Sequence, residues 1–206
     1  ERVDRDSRNV MTIEDPVEYH LDRIGQVQVN PKRGVTFASG LRSLLRQDPD
    51  VILVGEIRDE ETAHLAVQAS LTGHLVLATL HTNDAPSAVS RLQDIGVEPY
   101  LIASSLLAVF GQRLLRRICS TCRGAGKVDA DRRCDACLGT GYAGRVAIFE
   151  LMHVTDALRS LITGAADAAA LRSQAIADGM APMLEDARAK VAQGLTTESE
   201  VRRVLH

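Results

Sequence analysis

Four cysteines are the residues of this sequence whose spacing points most directly to chemistry. They form two Cys-x-x-Cys pairs separated by eleven residues, and each pair continues as Cys-x-x-Cys-x-Gly-x-Gly. Two residues between cysteines let both thiolates converge on one ion, and the glycines beyond let backbone N–H groups point at sulfur. Four thiolates complete a tetrahedral zinc shell and leave no place for water or substrate. The spacing therefore predicts a structural zinc site formed by Cys119, Cys122, Cys134 and Cys137.

Other interpretations of the four cysteines stay open at this point. Two disulfides need an oxidising compartment, a redox motif needs only one pair near a strand–helix junction, and inert buried cysteines are the third alternative. The surrounding segment is basic, because residues 111–145 carry eight Arg or Lys and three Asp. A plain solvated surface and a docking surface for an acidic partner or anionic lipid both explain this charge.

An acidic residue follows a continuous apolar run. Residues 51–54 read Val-Ile-Leu-Val, which is typical of a strand buried on both faces of a parallel sheet, and Gly55 and Glu56 come next. Nucleotide-hydrolysing enzymes place a carboxylate at the carboxyl end of such a strand to hold Mg²⁺ or its water shell. Many buried strands also end in Asp or Glu by chance, so this motif alone does not identify a nucleotide-hydrolysing enzyme.

Polar residues also flank two further apolar runs. Glu14, Asp15 and Glu18 follow the β-rich run at 10–13, where a solvated turn is the alternative. His74 and His81 lie on either side of the apolar run at 75–80, where structural histidines are the alternative. Taken together, the three strands suggest a site along the carboxyl edge of a parallel sheet.

Alternating strand and helix patterns predict an α/β fold around that sheet. The alternation over 18–29 predicts a hairpin, and the pattern over 99–116 predicts one long helix. After the cysteines, residues 145–152 predict a strand, and the remaining residues predict a small helical subdomain. Its four helices are expected to begin near Thr155, Asp167, Pro182 and Thr197.

Composition excludes several classes of protein. The chain has 206 residues, 45% of them hydrophobic and 25% charged, which supports a packed core and not disorder. The net charge of −3 and the six aromatic Phe and Tyr residues argue against a nucleic-acid binder. The sequence shows no secretory signal, and its longest uncharged stretch, 62–83, is too polar for a bilayer span. A soluble protein is expected, and the missing initiator Met suggests a fragment.

In combination and in order, these motifs resemble the secretion ATPases of the type II secretion and type IV pilus assembly family. The resemblance covers essentially the whole chain. The matching blocks are the Asp box at 12–18, the Walker B block ending at 55–59, the His box at 72–82, and the cysteine quartet followed by 141–145. The quartet points to the secretion or pilus-extension branch, because the retraction ATPases of the family lack it.

The resemblance implies a RecA-like core over residues 1–117, a zinc-binding subdomain over 118–144 and a C-terminal strand and helical subdomain over 145–206. It also implies ATP and Mg²⁺ as cofactors and a homo-hexameric ring. That ring would lie on the cytoplasmic face of the inner membrane, peripheral to it and bound to membrane platform proteins of the secretion or pilus machine.

The resemblance also carries roles to individual residues. Glu18 would polarise the attacking water, and Glu56 would hold Mg²⁺ through water. Glu14 and Asp15 would shape that site together with Arg58 of the Walker B block. His74 and His81 would sense the γ-phosphate and the neighbouring subunit. These roles are chemically coherent, because enzymes accelerate phosphoryl transfer mainly by positioning the reacting groups and by stabilising the developing charge.

The sequence departs from the family in two respects. The gap of eleven residues between the cysteine pairs is short, and no phosphate-binding loop is present. Of the three lysines, only Lys127 follows a glycine, and it lies between the cysteine pairs outside any Gly-x-x-x-x-Gly-Lys-Ser/Thr motif. In the family that loop precedes the Asp box, and an N-terminal domain supplies arginines. We expect the isolated chain to bind ATP weakly at best and not to turn it over.

A second class of function accounts for the cysteines alone. The Cys-x-x-Cys-x-Gly-x-Gly repeats also resemble those of the J-domain chaperones, over the stretch from Cys119 to Gly141. This alternative is a zinc-stabilised protein-interaction module without catalysis. It leaves the acidic and histidine blocks unexplained.

Overall fold

Four short strands form one parallel sheet in the computed structural model, which describes residue 4, residues 7–129 and residues 132–205. The strands are β1 (Val10–Glu14), β2 (Gly25–Gln28), β3 (Val51–Val54) and β4 (Leu75–Ala78). They lie in the order β2-β1-β3-β4, and each pairs in parallel with its neighbours. The predicted α/β fold is therefore confirmed.

Eight helices and an antiparallel ribbon complete the described part of the chain. The ribbon pairs β5 (Ala108–Ile118) with β6 (Tyr142–His153). A short 3-10 helix spans Pro31–Arg33. The helices are α1 (Phe37–Leu44), α2 (Glu60–Leu71), α3 (Ala85–Asp94), α4 (Pro99–Ser105), α5 (Asp156–Thr163), α6 (Ala168–Ala177), α7 (Met183–Ala192) and α8 (Glu198–Leu205).

The chain divides into two compact units. The first contains residues 1–82, 86–107 and 154–171, and the second contains residues 83–85, 108–153 and 172–206. This grouping differs from the three-part division 1–117, 118–144 and 145–206, which stays a prediction about domains.

The core of the first unit lies between the inner strands and α1. Ile13 and Ile52 are fully buried, as is Leu41 on the apolar face of α1. The helix approaches β1 closely at Gly40, where an added Cβ would lie 2.3 Å from Cδ1 of Ile13. Thr36 caps α1, because its side chain accepts a hydrogen bond from the N–H of Ser39 at 3.1 Å.

The second unit is built on the ribbon. Helix α7 packs on β6 and α8 packs on β5, and the two helices also contact each other. Their shared core contains five buried residues, Leu115, Ile148, Met183, Ala187 and Val201.

Two predicted elements were wrong. The hairpin expected over 18–29 is absent, because only β2 is extended there and it pairs in parallel with β1. The long helix expected over 99–116 ends at Ser105, and the chain then becomes β5. The apolar spacing of residues 108–116 fits a helix as well as a strand. Pairing with β6, which lies far along the chain, makes this segment a strand. No helix in the described ranges is long and apolar enough to cross a membrane.

Candidate functional site

The carboxyl ends of three parallel strands meet at one edge of the sheet. Glu14 ends β1, Glu56 comes two residues after β3, and Thr79 comes directly after β4. The strands are close there, since the Gly55 N–H donates to the Ile13 carbonyl at 2.8 Å. An added Cβ on Gly55 would lie 3.1 Å from that same carbonyl oxygen, so glycine permits this approach.

A cavity of about 370 Å³ lies at this edge of the sheet, within the first unit. Four predicted site residues line it, Glu14, Asp15, Glu18 and Glu56. Three carboxylates from the β1 end and one from the β3 end therefore face a common space. Oxygen-rich surroundings of this kind suit Mg²⁺, which keeps several of its waters and binds through one or two carboxylates.

Glu56 is the buried member of this group, with 9% of its surface exposed. Nε of Arg58 donates to its Oε2, and Nε2 of His81 lies 3.2 Å from the same oxygen. The hydrogen bond from Arg58 holds the pKa of Glu56 below its ordinary value, against the opposing effect of burial, and His81 adds to the lowering. Glu56 is thus kept ionised, as a residue that holds a cation must be.

The carboxylate of Glu14 is fixed by its neighbours in the sheet. Its Oε1 accepts hydrogen bonds from Oγ1 of Thr12 on the same strand and from Nε2 of Gln26 on β2, the latter at 3.0 Å. Thr12 and Gln26 stand opposite each other in the register of β1 and β2. Two residues, one from each strand, therefore hold this acid at a defined place in the cavity wall.

The segment that carries Glu18 is anchored by two glutamines of β2. Gln26 donates to the Tyr19 carbonyl at 3.0 Å and accepts from the Leu21 N–H at 2.8 Å. Gln28 accepts from the Val17 N–H at 3.2 Å. Neither glutamine was predicted as a positioning residue; their only signal in the sequence was the alternation that suggested a hairpin.

His74 lies apart from this cavity. It precedes β4 and is therefore at the amino end of the strand whose carboxyl end leads to His81. Its Nδ1 is 2.8 Å from the Ala69 carbonyl and 3.2 Å from Oγ1 of Thr72, so the ring contacts the end of α2. The structure brings six predicted site residues together at the carboxyl edge and places His74 elsewhere.

The four cysteines form one buried cluster in the second unit. Their sulfur atoms all lie within 4.8 Å of one another. Sγ of Cys119 is 3.9 Å from Sγ of Cys134, and Sγ of Cys122 is 3.7 Å from Sγ of Cys137. Tetrahedral zinc with Zn–S bonds of about 2.3 Å requires sulfur atoms about 3.8 Å apart. The donor set and its spacing fit zinc.

Glycines complete the shell around the sulfur atoms. The Gly126 N–H donates to Sγ of Cys122 and the Gly141 N–H to Sγ of Cys137, both at 3.3 Å. Both glycines have positive φ, and an added Cβ on either would lie 2.5 Å from a backbone carbonyl oxygen of the other turn. The second glycine of each Gly-x-Gly is therefore required by the packing of two similar turns against each other.

Without a cation, the cysteines would not ionise together. A backbone N–H from Cys122 lowers the pKa of Cys119 to about 7, whereas burial raises the pKa of Cys134 to about 11. A bound divalent cation overcomes this difference between the two pKa values, because it favours the thiolate form of every ligand.

The fold and the two sites define an α/β protein with an acidic site at the carboxyl edge of a parallel sheet and a separate four-thiolate centre. The sequence profile of the family Type II/IV secretion system protein matches residues 1–203, so the chain belongs to this family. The family membership predicted from the motifs is confirmed.

Individual relatives agree with this assignment. The type II secretion system protein HxcR of Pseudomonas aeruginosa is 54% identical over 98% of this chain and 44% of its own length. The type IV pilus assembly ATPase PilB of Thermus thermophilus is 47% identical over 97% of this chain and 25% of its own length. The crystal structure of the pilus retraction motor PilT with ADP matches 96% of this chain and 52% of that one, with a TM-score of 0.73 and 31% identity. The chain therefore spans less than half the length of these two curated relatives.

Proposed function

We propose that this chain is part of an ATP-driven motor for type II secretion or type IV pilus assembly, and that it supplies the acidic edge of the ATPase site. The observation that carries the proposal is the meeting of Glu14, Glu18 and Glu56 at one cavity at the carboxyl edge of the sheet. In open α/β sheets, ligands bind outside the carboxyl ends of the strands.

Each residue has a proposed part in hydrolysis. Glu18 polarises the attacking water, and Glu56 holds Mg²⁺ through water, with Arg58 orienting its carboxylate. Glu14 and Asp15 shape the cavity wall. Mg²⁺, when bound with ATP, neutralises the charge that develops on the transferred phosphoryl group.

The two histidines divide the sensing role that the resemblance assigns to them. Sensing of the γ-phosphate falls to His81, because it contacts Glu56. Sensing of the neighbouring subunit is assigned to His74, which lies at the other end of β4.

The exposed edge of the sheet supports a further nucleotide-binding part. Strand β4 is the last in the described sheet, and Leu75 and Leu77 on it are 41% and 46% exposed. Strands of parallel sheets are normally covered on both faces. We therefore assign this edge to the part of the motor that carries the phosphate-binding loop, which the 206 residues lack.

Family membership and the cysteine cluster support the remaining parts of the proposal. The four cysteines bind a structural Zn²⁺, since four thiolates leave no open position for catalysis. The full-length protein works as a homo-hexamer at the cytoplasmic face of the inner membrane and acts on the platform proteins of its machine, without nucleic acid. It couples ATP hydrolysis to pseudopilus or pilus assembly and protein export.

Steady-state ATP hydrolysis by the full-length protein tests the proposal. Glu18→Gln should lower kcat about 100-fold or more, because a residue that activates water contributes on that scale. Glu61→Gln is the matched control: Glu61 is exposed, pairs with Arg42 and lies outside the cavity. Equal rates for both variants and the wild type would refute the catalytic assignment and favour the non-catalytic interaction module.

The chain of 206 residues should not hydrolyse ATP by itself. It has acids to position water and metal, and it has no loop to hold the phosphates. Steady turnover by this chain alone would contradict the proposed division of the site.

A further inference from the structure

A single side chain of β2 makes three hydrogen bonds to the wall of the acidic cavity. Nε2 of Gln26 donates to Oε1 of Glu14 and to the Tyr19 carbonyl, both at 3.0 Å. Oε1 of Gln26 accepts from the Leu21 N–H at 2.8 Å. Glu14, Tyr19 and Leu21 all line the cavity, within the first unit. One amide group therefore binds the cavity wall at three points.

The three partners require one orientation of the Gln26 amide. A carboxylate and a carbonyl oxygen can only accept, so they need the amide nitrogen, whereas a backbone N–H can only donate and needs the amide oxygen. Both hydrogens of Nε2 are used, one on Glu14 and one on Tyr19. An ionised glutamate has nearly the same shape and offers two acceptors and no donor. The contacts therefore specify glutamine by its donors as well as by its length.

The register of the sheet fixes the place from which Gln26 acts. Gln26 pairs with Thr12 in the parallel ladder of β1 and β2, and Glu14 lies two residues further along β1, on the same face as Thr12. The segment 15–24, all of which the structure describes, forms neither helix nor strand. Gln26 thus acts from a paired strand on a segment that has no regular structure of its own.

Glu18 lies in this segment, between two residues whose backbone is bound by β2. Gln26 holds the carbonyl of Tyr19, which directly follows Glu18. Gln28 accepts from the N–H of Val17, which directly precedes it, at 3.2 Å. These bonds limit the backbone conformations open to Glu18, because each planar peptide leaves only two soft dihedral angles per residue.

We propose that Gln26 is a positioning residue of the ATPase reaction: through the two donors of one amide, it fixes Glu18 relative to Glu14. The inference rests on the proposed function, in which Glu18 polarises the attacking water and Glu14 shapes the cavity wall. A misplacement of about 1 Å can cost about 100-fold in rate, so bonds that set the spacing of two acids in one cavity bear on kcat.

A double-mutant cycle for ATP hydrolysis by the full-length protein tests the inference. Gln26→Ala should lower kcat about 10-fold and leave the KM for ATP within about twofold, because displaced acids weaken the transition state more than ATP binding. In a Glu18→Gln background the same change should cost less than about twofold, since the residue that Gln26 positions no longer activates water. A general loss of stability would instead lower the rate equally in both backgrounds.

Isosteric changes separate the need for donors from the need for an acceptor. Gln26→Glu removes both donors and brings a second negative charge against Glu14, so it should lower kcat about 10-fold or more. Gln28→Glu keeps the oxygen that the Val17 N–H needs and should lower kcat less than about threefold. Gln47→Glu adds the same charge at an exposed position outside the cavity and should leave the rate at the wild-type value. Because it preserves the shape of the side chain, Gln26→Glu decides the matter if Gln26→Ala fails to fold.

The outcomes separate this inference from the function on which it rests. An unchanged kcat for Gln26→Ala, an equal loss with and without Glu18, or a Gln26→Glu variant as active as Gln28→Glu would overturn the inference and leave the ATPase site intact. An unchanged kcat for Glu18→Gln would instead refute the role of Glu18 in hydrolysis and, with it, the inference.

Discussion

Nε2 of His81 lies 3.2 Å from Oε2 of Glu56, although the two residues are 25 positions apart in the sequence. The contact exists because β3 and β4 are parallel neighbours, so the segments that leave their carboxyl ends lie side by side. It joins the residue proposed to hold Mg²⁺ to the one proposed to sense phosphate. The same strand places His74 at the opposite end, against the Ala69 carbonyl.

The two histidines should therefore differ in their effect on hydrolysis. In the full-length protein, His81→Gln should lower kcat about 10-fold or more, since it loses a ring hydrogen-bonded to the carboxylate proposed to hold Mg²⁺. His74→Gln should lower kcat less, because Nδ1 of His74 lies against the Ala69 carbonyl and Thr72 at the end of α2, away from the acidic cavity. Steady-state kinetics of both variants at saturating ATP compares them. An equal or larger loss for His74→Gln would contradict the assignment.

The cysteine cluster predicts one zinc ion per chain. Elemental analysis of the purified protein should find about one equivalent of zinc, and Cys134→Ser should remove it, because all four sulfur atoms are needed to close the site. Ser120→Ala, an exposed change between the first two cysteines, is the matched control and should retain the metal. A zinc-free protein that stays folded would refute structural coordination by these four residues.

Lowering the pH should reduce the stability that the ionised carboxylate of Glu200 gives to the second unit. Hydrogen bonds from Arg203 and Arg116 hold the pKa of this buried carboxyl far below its ordinary value. A depressed pKa in the folded state stabilises the protein above the unfolded-state pKa of about 4.3, and this contribution is lost as the pH falls toward the folded-state value. Glu200→Gln should therefore lower the free energy of unfolding by about 2 kcal/mol at pH 7, the scale of a hydrogen bond to a charged group.

Urea unfolding of the wild type and Glu200→Gln from pH 7 to pH 3 measures this difference. The difference should shrink below about pH 4, because the unfolded chain takes up a proton on Glu200 there while the folded protein keeps it ionised. Glu198→Gln, at an exposed position of the same helix, should match the wild type throughout. A difference that is as large at pH 3 as at pH 7 would show that ionisation of Glu200 does not stabilise the fold.

Local sequence patterns predicted the inner strands and the cysteine cluster. Val51–Val54 is a continuous apolar run and forms the buried strand β3, and the Cys-x-x-Cys spacing places its sulfur atoms as zinc requires. Both signals lie within a few residues of the feature that they describe. Glu56 could be predicted as a site residue for the same reason, since it comes two residues after its strand.

Features that depend on distant partners could not be read from the sequence. Residues 108–116 fit a helix as well as a strand until β6 pairs with them. Glu150 binds Ala85 across 65 positions and Glu200 binds Arg116 across 84, so neither buried acid stands out from the solvated ones. Gln26 and Gln28 anchor the Glu18 segment only because β2 pairs in parallel with β1.

Glu56→Gln in the full-length protein determines whether the acidic edge of this sheet belongs to the ATPase site. Steady-state hydrolysis should fall about 100-fold or more, because the amide cannot hold the metal charge that stabilises phosphoryl transfer. The exposed Glu61→Gln change should leave the rate at the wild-type value. Hydrolysis by Glu56→Gln at the wild-type rate would contradict the assignment of this edge as the ATPase site.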